Sequence, residues 1–174
     1  MNEGVHIRTA SLSDIPVMQS LEVDAARLYG TMAGYEFCTQ LPPRSQAEHL
    51  RVQENGAAWL AGLGGKVIGF LLVLPVDGRA HVLEAATEYG SQGKGIGRRL
   101  FAEFHSWAAN VGYSEATLTT YRDVPWNAPF YERIGYQIIA VDARRPELMA
   151  IRAEEAAAGF ERAARVAMEQ TLRR

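Results

Sequence analysis

The stretch YGSQGKGIGRRL, residues Tyr89 to Leu100, decides how the chain is read. Gly93, Gly95 and Gly97 alternate with other residues, and Lys94, Arg98 and Arg99 add three cations. An apolar pattern at helical spacing follows at once in Ile96, Leu100, Phe104 and Trp107. Glycine lets backbone N–H groups approach a ligand closely, because no Cβ intervenes. The helix that follows presents the positive end of its dipole, so loop and helix together make an anion site. Cations at a helix N-terminus are otherwise unfavourable by roughly 0.3–1 kcal/mol each, and a bound polyanion reverses that sign. A flexible turn with solvated cations is the plainer reading of the loop taken alone.

Two common phosphate loops do not fit. The pattern GxxxxGK[ST] fails because Glu88 holds the first glycine position and Gly95 follows Lys94 where Ser or Thr is needed. The dinucleotide pattern GxGxxG fails because its last position is Arg98 counted from Gly93, or Leu100 counted from Gly95.

Working outward, the elements alternate. VHIRTA (5–10) reads as a strand, and residues 11–30 as a helix with Pro16 near its start and apolar Ile15, Met18, Leu21 and Leu28. Residues 31–44, TMAGYEFCTQLPPR, are rich in turn formers and break any helix. SQAEHLRVQENG (45–56) is a second helix ending near Gly56. Gly64-Gly65 and Asp77-Gly78 mark turns between three strands. The middle one, KVIGFLLVL (66–74), is apolar without alternation, so it is buried on both faces. After the glycine loop and its helix come a strand (114–121), a short helix (124–136) punctuated by Gly135, a strand (137–141), an Ala/Glu-rich helix (144–160) ended by Gly159, and a closing strand (164–172). This mixture predicts one α/β (α+β) domain over residues 1–174, built on a mixed sheet.

Composition narrows the function. The 174 residues are 48% hydrophobic and 22% charged, with a net charge of −2, which argues against a duplex nucleic-acid partner. No apolar run is long enough to span a membrane, and the N-terminus lacks the apolar centre of a signal peptide. Cys38 is the one cysteine, so no disulfide framework or multi-cysteine metal site is expected, and a cytoplasmic location fits. His6, His49, His81 and His105 show no metal-ligand spacing.

What the loop does match is Q-x-x-G-x-G, as Gln92-Gly93-Lys94-Gly95-Ile96-Gly97. This resembles the acetyl-CoA pyrophosphate loop of the GCN5-related N-acetyltransferase (GNAT) family. The element order over roughly residues 5–172 is similar to that fold. AHVLEAATEYGSQGKGIGRRLF (80–101) resembles its fourth strand running into the cofactor loop, and FYERIGY (130–136) its Tyr-bearing helix signature. The C-terminal helix and strand resemble one bacterial branch with small-molecule acceptors. The resemblance implies a mostly antiparallel central sheet flanked by helices, with a strand pair splayed at the cofactor site. It also implies direct transfer of an acetyl group from acetyl-CoA to an amine. An acyl-CoA-binding sensor on the same fold is the alternative function.

The resemblance also implies roles. A backbone N–H near Ala85 would serve the thioester oxygen as it gains charge. Ala85, Ala86 and Thr87 would pair with the pantetheine arm, while Gln92, Gly93, Lys94, Gly95, Ile96, Gly97 and Arg98 would hold the pyrophosphate. Tyr131 would face the departing thiolate, its phenol keeping a proton at neutral pH. His81 on the fourth strand is a candidate base, with an ordinary pKa near 6.5 that suits the task. Glu84 is the rival, placed on the opposite face by regular alternation unless a bulge intervenes. Water is a third route for the proton. Two positions depart from the family pattern. Leu83 stands where some relatives carry an acid or histidine, and Val124 where many carry a cofactor-contacting asparagine. Asn127 either takes over that contact or caps its helix. Tyr29, Tyr35, Phe37, Trp59 and Trp126 beside Asp24, Glu36 and Asp123 would suit a small cationic amine. Pairing through the apolar closing strand would give a homodimer.

Overall fold

Among the described residues, seven strands form one sheet in the order β1-β2-β3-β4-β5-β7-β6. They are β1 (His6–Thr9), β2 (Ala57–Leu63), β3 (Lys66–Val76), β4 (Arg79–Thr87), β5 (Glu115–Tyr121), β6 (Gln137–Ile139) and β7 (Arg165–Thr171). The helices are α1 (Ile15–Ala26), α2 (Gln46–Asn55), α3 (Ile96–Val111), α4 (Ala128–Arg133) and α5 (Pro146–Ala157). The computed structural model describes residues 4–173. The pairs β1–β2, β2–β3, β5–β7 and β6–β7 are antiparallel, whereas β4 and β5 run parallel and pair at Ala80–Val82 with Ala116–Leu118. That pairing covers three residues of each strand, and both strands continue beyond it. The expected mixed sheet with flanking helices is therefore present, and its turns fall at Gly64-Gly65 and Asp77-Gly78 as the sequence predicts. The long run read as a doubly buried strand is β3, with Ile68 to Leu74 all buried apart from Gly69's missing side chain.

By compactness the chain divides into two units, residues 1–74 with 83–106, and residues 75–82 with 107–174. In the first, Ile15, Met18 and Leu21 of α1 and Val52 of α2 pack on Ala58, Leu60, Phe70, Leu72, Leu74 and Ala86 of the sheet. Period 3.6 on the helices meets period 2 on the strands. On the other face Trp59 meets Phe104 of α3 at 6.0 Å between ring centroids. In the second unit Leu148 of α5 packs with Val76 and Ala167, and Ile151 closes over them. Residues 27–31 and 36–40, read as helix end and turn formers, are short 3₁₀ turns. Among the described residues no helix is long and apolar enough to cross a membrane.

Two residues give this fold measurable liabilities. Gly56 ends α2 where the chain passes close over β3, and a Cβ there would lie 1.9 Å from the backbone oxygen of Val73. Backbone cannot rotate aside as a side chain can, so Gly56→Ala is expected to destabilise the protein by about 3 kcal/mol. Urea unfolding with a lowered midpoint and an unchanged slope checks this. His105 lies between Phe101 and Phe104, at ring distances of 5.7 and 5.1 Å. Burial pushes it from its ordinary 6.5 down to about 4. The unfolded chain therefore takes up the proton first, so this contribution to stability is full above pH 6.5 and lost as pH falls toward 4. Thermal unfolding followed from pH 7 to 4 should show a fall in Tm that His105→Gln reduces.

Candidate functional site

The first half of the glycine loop is braced by its own side chains. Glu88 N–H donates to the Ile68 carbonyl at 2.9 Å, and Ser91 N–H donates to the Glu88 carbonyl at 2.9 Å. The Gln92 side chain closes the turn, accepting from Gly90 N–H at 2.8 Å and donating to the Glu88 carbonyl at 3.0 Å. The glutamine of the motif thus shapes the loop. Lys66 pairs with the Glu88 carboxylate. The end of α1 grips the loop as well. Asp24 accepts from Tyr89 N–H at 2.7 Å, and the Arg27 guanidinium lies 4.4 Å over the Tyr89 ring.

The second half is open. Gly93 and Gly95 have φ of +77° and +74°, the left-handed region that favours glycine, and nothing lies within 4 Å of where a Cβ would stand. Helix α3 then begins at Ile96, whose side chain is 2% exposed and anchors the first turn. The first N–H groups of any helix have no intrahelical partner; here they belong to Ile96, Gly97 and Arg98. Lys94 and Arg98 are exposed beside them. Arg99 is turned elsewhere and donates to the Val5 carbonyl. Open backbone, a helix N-terminus and two free-standing cations fit a diphosphate.

Strand β4 carries the next candidates. Leu83 and Ala86 pack against the same apolar cluster although they are three residues apart, so simple alternation does not hold between them. Glu84 lies on the side of the α1–α2 connection, with Oε2 3.5 Å from Nε of Arg44. Regular alternation does not anticipate this placement. Ala85 and Thr87 are partly exposed, and Ala86 is buried. His81 is 1% exposed, with Nδ1 2.9 Å from the Thr117 hydroxyl, its register partner on β5.

In the second unit, Tyr131 sits on α4 in edge contact with Phe130 and Tyr136, at 5.2 and 5.9 Å between ring centroids. Asn127 is 7% exposed, and its carbonyl accepts from Phe130 and Tyr131 N–H. Its side chain makes no cap hydrogen bond. Val124 is fully buried, so valine replaces a polar residue there by joining the core. Of the aromatic candidates, Trp59 is 3% exposed and belongs to the core. Tyr29 and Tyr35 stack at 6.4 Å. Cys38 is a buried free thiol.

Sequence reasoning missed a cluster around Arg44. This residue donates from its guanidinium to Glu48 at 2.9 Å and to the Leu83 carbonyl at 2.8 Å, and from its backbone N–H to Glu22 at 2.9 Å. Burial, then the charge of Glu84, push the Glu22 carboxyl up to about 8. Burial also pushes Glu48 upward, but Ser45 and Arg44 outweigh it and hold Glu48 below the usual carboxylate value. Only the Ser45-x-x-Glu48 capping box gave a local sign of any of this.

The Acetyltransferase (GNAT) family profile matches residues 22–136. The chain belongs to the GNAT acetyltransferase family. Solved structures agree on the fold. A GNAT-family acetyltransferase from Staphylococcus aureus superposes with a TM-score of 0.74 at 14% identity, covering 98% of this chain and 100% of that one. The PaiA N-acetyltransferase of Thermoplasma acidophilum, crystallised with coenzyme A, gives 0.66 at 17% identity, covering 97% and 99%. An IAA acetyltransferase from Bacillus cereus gives 0.67 at 19% identity, covering 97% and 100%. The GNAT match takes in β4, the glycine loop, α3 and the Tyr131 helix in one span.

In a GNAT chain the open loop has an immediate test. Gly95→Asp adds a Cβ at positive φ and a carboxylate where exposed N–H groups would meet phosphate. Calorimetry should show CoA binding weakened at least about tenfold, or roughly 1.4 kcal/mol. A folded variant with unchanged affinity would remove the loop from the cofactor site.

Proposed function

We propose that this protein is an N-acetyltransferase that moves an acetyl group from acetyl-CoA directly to the amine of a small molecule or a peptide N-terminus. The observation that carries the reading is the loop at Gly93–Gly97, with its open backbone, helix N-terminus and exposed Lys94 and Arg98, inside the stretch matched to the family. The matched stretch draws on both units, which supports treating residues 1–174 as one catalytic domain.

Acetyl-CoA supplies the acetyl group as a thioester when bound. The N–H groups of Ile96, Gly97 and Arg98 hold its diphosphate, with Lys94 and Arg98 offsetting charge. Ala85 to Thr87 offer backbone partners to the pantetheine arm in the manner of an added strand, and Ala85 N–H donates to the thioester oxygen as charge develops there. Tyr131 gives its phenolic proton to the departing sulfur. Asn127, buried at the start of α4, is assigned to the cofactor side by its resemblance to the family's contact. His81 and Glu84 are the rivals for the amine proton. The burial of His81 and its bond to Thr117 weigh toward the carboxylate side.

A cytoplasmic location and a homodimer belong to the same proposal. The closing strand that suggested pairing is β7, and its Val166, Ala167 and Met168 are buried within the chain's own fold. The edge strand beside β7 is β6, which carries exposed Ile138 and is the better surface for a second copy.

Free-thiol release from acetyl-CoA against a panel of amines, polyamines, amino acids, aminoglycosides and short peptides tests the activity. Tyr131→Phe keeps the ring and removes one hydroxyl, and kcat should fall by roughly 10²–10⁴ with little change in CoA affinity. A preserved kcat with a raised KM for acetyl-CoA would make Tyr131 a binding residue instead.

A further inference from the structure

Among the described residues, three networks that each join more than two buried or half-buried charges stand out, and two of them balance. Arg152 and Arg165 face Glu155 and Glu161. Arg79 and Arg145 face Glu115 and Glu169. Each set has two cations and two anions. The third does not balance. One cation, Arg44, serves Glu22 from α1, Glu48 from α2 and Glu84 from β4. Buried charge without a partner is costly, so such a cluster keeps one of its carboxyls neutral by holding a proton.

We propose that Glu22 and Glu84, tied together by Arg44, act as one proton-accepting pair for the acceptor amine. This rests on the acetyltransferase reading above, because Glu84 immediately precedes Ala85, the residue assigned there to the thioester oxygen.

The geometry divides the roles. Glu48 is saturated. It accepts from Ser45 N–H at 2.8 Å, from the Ser45 hydroxyl at 2.9 Å and from Arg44 at 2.9 Å. It therefore stays ionised. Glu84 lies 3.5 Å from the Arg44 guanidinium, and both side chains are a little over a quarter exposed, so the pair is open to solvent. Glu22 accepts from a backbone N–H and sits against the charge of Glu84. The last proton to leave the cluster is the one on Glu22, near pH 8. His49, the neighbour of Glu48 on α2, is 1% exposed with no hydrogen-bond partner on either nitrogen. Burial lowers it from 6.5, so it stays neutral in this range.

In the step itself an N–H bond of the substrate ammonium breaks and its electron pair stays on nitrogen. The proton forms an O–H bond on the pair, ending on Glu22. Arg44 is a positioning residue, holding Glu84, the Leu83 carbonyl and the Glu22 carboxylate in one arrangement.

The test is the pH dependence of kcat/KM for two probe amines of different basicity, benzylamine and glycinamide, with CoA binding measured in parallel by calorimetry. A limb common to both amines should rise near pH 8. Glu22→Gln should remove that limb and lower kcat/KM at pH 8.5 by about 100-fold, with CoA affinity unchanged. Glu84→Gln removes a neighbouring anion and should move the limb to lower pH, whereas Arg44→Met removes the cation and should move it higher. These opposite shifts also carry the test if Glu22→Gln does not fold; equal or absent shifts overturn the proposal. If neither amine is acetylated, carbon NMR of glutamate-labelled protein decides, since a Glu22 carboxyl titrating in the ordinary carboxylate range overturns it. Wild-type protein that binds no CoA would overturn the acetyltransferase reading and this proposal together. A CoA-binding wild type whose limb survives in Glu22→Gln would overturn this proposal alone.

Discussion

A loop that presents its backbone to a ligand has to be held in shape by something other than its own backbone hydrogen bonds. The segment between β4 and α3 meets that constraint by dividing its length. Residues 88–92 spend their side chains on the fold, with Gln92 and Ser91 turned back on Glu88, Glu88 on Lys66, and Tyr89 clamped by Asp24 and Arg27. Residues 93–97 carry almost no side chain to spend. Of their two large groups, Lys94 stands exposed as a cation, and Ile96 is buried and anchors the start of α3. Backbone freedom at Gly93 and Gly95 is useful only because both flanks are fixed, since an unbraced glycine loop loses entropy on binding.

Electrostatics separates structural from functional charge in the same way. The Arg165 and Arg79 networks are balanced in charge, and their members pair with one another and with Thr119 or a backbone carbonyl. Such pairs specify geometry and add little stability over an apolar core. The Arg44 cluster is short of positive charge, which no purely structural brace requires. An incoming ammonium would make up part of that shortage, and the mutual repulsion of three carboxylates around one cation, two at the Arg44 guanidinium and Glu22 at its backbone N–H, favours a step that brings in a proton.

Local signals were the legible ones. The glycine spacing in 92–97, the turns at Gly64-Gly65 and Asp77-Gly78, Pro16 at the start of α1 and Gly159 beyond α5 each act within a few residues, and each fell where the sequence placed it. Relations across the chain were not legible. Glu22, Arg44 and Glu84 come from three elements far apart in sequence, and no periodicity links them. The side on which Glu84 lies depends on a break in alternation between Leu83 and Ala86, set by packing on the α1–α2 core. The partner of His81 was not legible either: Thr117, opposite it on β5, holds it buried and hydrogen-bonded. Likewise the apolar closing strand reads as an interface until β5 and β6 are seen pairing on either side of it.

Helix α1 joins these threads. Within two turns it carries Glu22, which faces the Arg44 cluster, and Asp24, which holds Tyr89 at the mouth of the glycine loop; Arg27 follows just past its end and covers the Tyr89 ring. Its other face packs Ile15, Met18 and Leu21 into the core beneath β3. A shift of the helix along its axis would move the loop brace and the high-pKa carboxylate together. The brace of the loop and the placing of Glu22 therefore share one short length of helix. Glu22 and Asp24 are two residues apart near one end of α1, so ordering of that end by a ligand at the loop would also hold Glu22 in place, an economy open to one helix end that serves two partners.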